Sequence, residues 1–178
     1  EYEVMQELGA TFLRYLRVKI RNRDILRRVC LVDSPGMIDS AEGVVHRDYD
    51  FLGSVQRLVN LSYMVFFLFD PEKPGTTGET VETFARCLQG VEFKSRVLLN
   101  KCDTFSGLYD FARTYGTLCW NLARVLKTKD LPKIYTTYTG DRVVGRTGSL
   151  ELTDVERHRA EFRAVFEDPI SRRVDNVV

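Results

Sequence analysis

Ser95-Arg-Val-Leu-Leu-Asn-Lys-Cys-Asp103 is the stretch on which the reading of this chain turns. Its first half is a short apolar run of strand composition; its second half becomes polar at once, so Asn100, Lys101 and Asp103 stand where the strand ends. In an open parallel sheet, ligands bind outside the carboxyl ends of the strands. The chemistry of the three residues suits that place. The Asp103 carboxylate can accept two hydrogen bonds from the imino and amino edge of a purine, Asn100 can brace neighbouring loops, and the Lys101 stem can lie against the ring. Taken alone, Asn-Lys-Cys-Asp is more often a capped turn than a base pocket.

Working towards the N-terminus, Tyr63 to Asp70 is apolar without alternation, as in a strand buried on both faces, and it too ends in an acidic residue and a proline. Earlier still, Arg28 to Asp33 is a short run with strand character, stopped by Ser34-Pro35-Gly36. Asp-x-Pro-Gly in that position suits a phosphate and magnesium site. The Asp33 carboxylate can hold a hydrated Mg²⁺, and the Gly36 amide can approach a terminal phosphate because no Cβ intervenes. Asp-Ser-Pro-Gly is also an ordinary turn. Placed one strand-helix-strand before Asn-Lys-x-Asp, however, it has the order and spacing of nucleotide-hydrolysing G domains.

Helix signals fill the intervals. Leu8, Phe12, Leu13 and Leu16 are spaced for a helix over Val4 to Val18, and Phe51, Leu52, Val55, Leu58 and Val59 for one over Asp48 to Asn60. Thr76 and Glu79 form a capping-box pattern ahead of a helix that Gly90 stops. Three-and-four spacing runs from Leu108 to Leu126, Pro132 to Thr136 reads as a fourth strand, and Thr153 with Glu156 opens a last capped helix that Asp168-Pro169 breaks. Alternating strands and helices imply an α/β fold with a mostly parallel sheet and helices on both faces.

Composition narrows the function classes. The 178 residues are 44% hydrophobic, enough for one sizeable core, and the formal net charge of +1 removes the global argument for a nucleic-acid binder or polybasic membrane protein. Arg14, Arg17, Lys19, Arg21, Arg23, Arg27 and Arg28 form a basic stretch that reads as a solvated face and loop, and a nucleic-acid partner is not expected. Cys30, Cys87, Cys102 and Cys119 have no zinc-ligand spacing, which favours a reduced intracellular protein. The longest apolar run, Met64 to Phe69, is far short of the roughly 20 residues of a membrane span. The first residues, Glu-Tyr-Glu-Val-Met, read like the middle of a longer chain.

No Gly-x-x-x-x-Gly-Lys-Ser/Thr occurs in the sequence, so the backbone cradle and lysine that hold the β- and γ-phosphates are missing from it. Gly75-Thr76-Thr77-Gly78 lacks the lysine and precedes the wrong helix. Weak nucleotide binding, or none, is expected of this chain by itself, and catalysis by it alone is not expected. No residue can be assigned to position or activate the attacking water.

Five segments together resemble the EHD ATPases, the Eps15-homology-domain proteins of the dynamin superfamily. They are Leu31-Val-Asp-Ser-Pro-Gly36, His46-Arg-Asp-Tyr-Asp-Phe51, Val65-Phe-Phe-Leu-Phe-Asp70, Arg96-Val-Leu-Leu-Asn-Lys-Cys-Asp103 and Tyr115-Gly-Thr-Leu-Cys-Trp120. The likeness covers about Gly9 to Tyr138, and Arg-x-Tyr-Asp-Phe is its most specific element. It implies a three-layer P-loop NTPase fold of the dynamin type, N-terminally incomplete: residues 1–149 as the C-terminal two-thirds of the G domain, and 150–178 as a helical segment leading into a helical domain. It further implies purine-nucleotide binding with Mg²⁺, with ATP favoured by the resemblance and GTP by Asn-Lys-x-Asp. Hydrolysis would be coupled to oligomerisation and membrane remodelling in endocytic traffic, by a cytoplasmic protein peripheral to endosomal or plasma membranes through regions outside this chain. Ser34 replaces the family's usual Thr and Cys102 its usual Ala; after Tyr135 the sequence departs further, so base contacts from that loop are not carried over.

At about 100° per helical residue, Trp120 falls opposite the Leu108–Leu126 stripe, near Tyr109, Gly116 and Ala123. The resemblance assigns that helix to G-domain pairing, making Trp120, Tyr109 and Gly116 candidate dimer contacts. The alternative function is a catalytically inactive G-like interaction and dimerisation module that has lost its phosphate loop.

Overall fold

A computed structural model describes residues 10–23, 26, 29–34, 49–72, 84–87, 89–126, 130–138 and 153–167. At its centre lies a parallel sheet of three strands, β1 (Val65–Phe69), β2 (Ser95–Leu99) and β3 (Ile134–Thr136), in that spatial order. Phe67 and Phe69 stand level with Val97 and Leu99, which in turn stand level with Ile134 and Thr136. Side chains alternate across a strand, so all six lie on one face of the sheet. That face carries the main core, in which Leu99 has no exposed surface and Phe84, Val97 and Leu118 are 1% exposed.

Helix α2 (Phe51–Leu61) and α3 (Leu108–Val125) join this core, together with the helical residues 84–87. Asp50 caps α2, its carboxylate accepting from the Gly53 amide at 3.0 Å, which satisfies one of the amides that a helix start leaves without a partner. The other end of α2 has a buried partner: the Lys94 ammonium donates to the carbonyls of Ser62 at 2.8 Å and Asn60 at 3.3 Å. A cation there complements the helix dipole, while burial pushes the Lys94 pKa down. In α3 the buried stripe is Thr114, Leu118 and Leu122; Leu108 heads the helix but is exposed, so the stripe starts a turn later than its sequence spacing implies.

The opposite face of the sheet meets α4 (Thr153–Glu167). Phe162 packs on Phe66 with ring centroids 5.1 Å apart and on Tyr135 at 6.1 Å. The helix also reaches the core side at the edge strand β3, where His158 Nδ1 shares a 3.0 Å hydrogen bond with Thr136 Oγ1 and Val155 joins the main core. A small outlying cluster sets Phe12 of α1 (Ala10–Tyr15) against Leu58 and Tyr49.

The described structure is thus α/β, with a parallel sheet and helices against both faces. One expected strand is absent from it. Residues 29–34 form no strand, and Cys30, Leu31, Val32, Asp33 and Ser34 are all exposed. A strand needs a neighbouring backbone to take its amides and carbonyls, and among the described residues β1 is paired only with β2. The Thr76–Glu79 capping box, the start of the first helix, Gly36 and Asp168-Pro169 lie outside the described residues.

Candidate functional site

Because Phe69, Leu99 and Thr136 are level, Asp70, Asn100 and Thr137 leave the sheet side by side at the carboxyl end. The hydrogen-bond ladder runs one step past the strands, with Asn100 N–H donating to Phe69 O at 2.9 Å and Thr137 N–H to Leu99 O at 2.8 Å. Side chains then tie the loops together. The Thr137 hydroxyl donates to Asn100 Oδ1 at 3.2 Å, and the Cys102 amide donates to Thr137 O at 3.0 Å.

Lys101 sits in this junction with φ +56°, the only non-glycine residue at positive φ among the described residues. A left-handed backbone costs an L residue roughly 1–2 kcal/mol, so it persists only where the surroundings hold it. Here its carbonyl accepts from both the amide of Thr104 (3.0 Å) and its hydroxyl (2.8 Å), and its ammonium pairs with the Asp70 carboxylate. That pairing raises the Lys101 pKa, the hydrogen bond to Asp70 being the largest cause. Asp70 is itself oriented by accepting from the Glu72 amide at 3.0 Å.

Cys102 is the anchor of the turn. It is 1% exposed, its thiol donates to Leu99 O at 3.2 Å, and burial pushes its pKa up to about 12, so it packs as a neutral side chain. Asp103 follows on the outside of the turn, exposed, and among the described residues its carboxylate makes no hydrogen bond or ion pair. The loop therefore has a braced Asn100, a fixed Lys101 and an outward carboxylate, which together can take up a ring bearing adjacent N–H donors.

Asp33 is not joined to this arrangement. It is exposed in irregular chain and takes no part in the network linking Asp70, Asn100, Lys101 and Thr137, while Gly36 lies outside the described residues. No cluster of three or more metal-ligating side chains occurs among the described residues. On α3, Trp120 is 69% and Tyr109 82% exposed, and Gly116 has open space where a Cβ would stand. Asp70 and Thr137 were not singled out by sequence. Asp70 has a signal there, an acid closing an apolar strand, but Thr137 is placed only by strand register.

Similarity to characterised proteins bears on this loop. The chain is 30% identical over 181 residues to EH domain-containing protein 2 of Arabidopsis thaliana, a match covering 98% of the chain and 33% of that protein. It is 28% identical over 162 residues to EH domain-containing protein 1 of the same plant, covering 90% of the chain and 29% of the relative. The chain belongs to the EH domain-containing protein family. The human EH domain-containing protein 2 is also 30% identical, over 135 residues that cover 75% of the chain and 24% of that protein. This EHD chain thus spans about a third or less of the length of the curated relatives it matches. No protein-family model matches it. No helix among the described residues of the EHD chain is long and apolar enough to cross a membrane.

Proposed function

We propose that this chain forms the base-side part of a purine-nucleotide site in a dynamin-type G domain. The observation that carries the reading is the junction of three loops at the carboxyl rim of the sheet, where Asn100 is braced by Thr137, Lys101 is held in a left-handed turn by Asp70, and Asp103 projects outward. In this reading Asn100 and Lys101 shape the pocket and Asp103 faces the base edge: guanine offers it adjacent N1–H and N2–H donors, which with Asn-Lys-x-Asp favours GTP, whereas adenine offers only its N6 amino group, and ATP is favoured by the family resemblance alone. Residues 1–149 belong to the G domain, and 150–178 lead towards a helical domain.

Asp33 and Gly36 serve the phosphate side. A magnesium ion takes one or two carboxylates, with phosphate oxygens and water filling its other positions, so the single exposed carboxylate of Asp33 is a donor of the right kind. When bound, the ion would neutralise phosphate charge. In the whole protein, hydrolysis is coupled to oligomerisation and to membrane remodelling in endocytic traffic, on the cytoplasmic side of endosomal or plasma membranes. Trp120, Tyr109 and Gly116 supply a pairing surface between two such domains.

Calorimetric titration with ATP and with GTP, each with Mg²⁺, tests the site. We expect weak binding of one of them, reduced by about tenfold or more in Asp103→Ala through loss of charge-assisted hydrogen bonds. An Asp103→Ala chain that binds as the wild type does overturns the reading, and so does failure of both nucleotides to bind a form of the protein extended upstream to include a phosphate loop; the second outcome would favour a nucleotide-free interaction module.

A further inference from the structure

The segment that follows α1 is strongly cationic and lacks internal counter-charge. Residues 10–23 contain Arg14, Arg17, Lys19, Arg21 and Arg23 and no Asp or Glu. Beyond Tyr15 the chain is neither helix nor strand as far as residue 23, and every residue from Arg17 to Arg23 is exposed. Arg17 is used locally: its guanidinium donates to the carbonyls of Arg14 at 3.0 Å and Leu16 at 3.2 Å, closing the end of α1. Arg14, Lys19, Arg21 and Arg23 meet no carboxylate among the described residues. Like charges gathered this closely repel one another, and an anionic surface would relieve that repulsion.

A second observation concerns the residues between the charges. Val18 is 77% exposed and Ile20 90%, and in sequence they alternate with the cations as Arg17-Val-Lys-Ile-Arg21. The strip is also tethered to the fold, since Phe12 of α1 is 5% exposed against Leu58 and Tyr49. Basic residues interleaved with exposed aliphatic ones match a bilayer surface, where charge meets anionic headgroups and apolar side chains enter the headgroup boundary. A single nucleic-acid strand would instead be served by aromatic side chains on which bases stack; the strip has one, Tyr15, whose ring lies 6.0 Å from that of Tyr49, and none between Leu16 and Arg23.

We propose that residues 14–23 are a docking strip for an anionic lipid bilayer, with Arg14, Lys19, Arg21 and Arg23 on the headgroups and Val18 and Ile20 at their boundary. The strip is independent of the nucleotide site and lies apart from the regions outside this chain to which the family resemblance assigns membrane contact.

Co-sedimentation of the purified chain with phosphatidylcholine vesicles, with and without phosphatidylserine, tests it. Two variants are compared with wild type: Lys19→Gln/Arg21→Gln/Arg23→Gln and Val18→Asn/Ile20→Asn. All five positions are exposed, and unchanged circular dichroism will show that the fold is kept. Binding should require phosphatidylserine and weaken with salt. It should fall by about a hundredfold in the charge variant, at about fivefold per cation, and by less in the apolar variant. Absence of phosphatidylserine-dependent binding, or equal binding by the charge variant, overturns the proposal. So does capture of duplex DNA, without vesicle binding, that the charge variant loses; that result would assign the strip to nucleic acid.

Discussion

Two stretches of this chain look alike as sequence and differ as structure. Arg28 to Asp33 and Ser95 to Asn100 are both short apolar runs that end in a polar motif. The second is β2, the middle strand, hydrogen-bonded on both sides, and its motif is tied to Asp70 and Thr137. The described part of the first is solvent-exposed from Cys30 onward, with Leu31 60% and Val32 45% accessible. Strand composition permits extended backbone, but a neighbour on each side is what positions the loop beyond it.

The widest contrast should appear in stability. Leu99 lies directly beneath the Asn100 motif with no exposed surface. Leu99→Ala is expected to cost about 2–5 kcal/mol in urea unfolding, because a core cavity opens. Leu31→Ala, at an exposed site, should change stability by no more than about 0.5 kcal/mol. Comparable losses for both would mean that the Leu31 segment is packed in solution.

Thiol chemistry separates the same two regions by a smaller margin. Cys30 is exposed, while Cys102 is buried with its pKa raised from 9.0 to about 12. Iodoacetamide should label Cys30 in the native chain and reach Cys102 only on unfolding, as read by peptide mass mapping. The sign of the pH effect comes from linkage. An acid whose folded pKa is raised favours folding while protonated, so the Cys102 contribution is complete below pH 9 and is lost as pH rises towards about 12. Cys102→Ala should flatten that part of the alkaline decline in the urea midpoint.

The least change is expected at the Lys101–Asp70 pair, both partners of which are partly in water. Asp70→Asn should lower the urea midpoint only slightly. The Lys101 pKa is raised in the fold from the ordinary lysine value of 10.5, so any gain from the pair is present below that pH and fades above it. The wild-type and Asp70→Asn midpoints should therefore converge in strong alkali. A gap that widens there would mean that another group holds Lys101.

How much could be read from the letters divides along the same line. Ser95 to Leu99 was legible to the residue, because Asn100 ends the apolar run and two flanking strands make its strand character count. The helical period of α3 was legible as well, except that Leu108 lies a turn ahead of the buried stripe. Arg28 to Asp33 misled, since composition does not report whether a partner strand is alongside. Asn100, Lys101 and Asp103 stood out as a motif, but the hold of Thr137 on Asn100 depends on two residues 37 apart in sequence becoming adjacent through parallel pairing. The basic stretch was visible too; that Arg14, Lys19, Arg21 and Arg23 meet no carboxylate among the described residues, and that Ile20 is exposed, follows only from the fold.

The level ending of the three strands carries a further consequence. Side chains in a strand alternate between faces, so one extra residue inserted within β2 ahead of Asn100 would invert the parity of every later position in that strand. Leu99 would have to leave the packed side or drag the ladder out of step with β1 and β3, and Asn100 could no longer meet Thr137. Length variation should therefore be accepted in connections beyond Glu72 and Phe105 long before it is accepted between Ser95 and Asn100, making this rim a fixed ruler between more permissive connections.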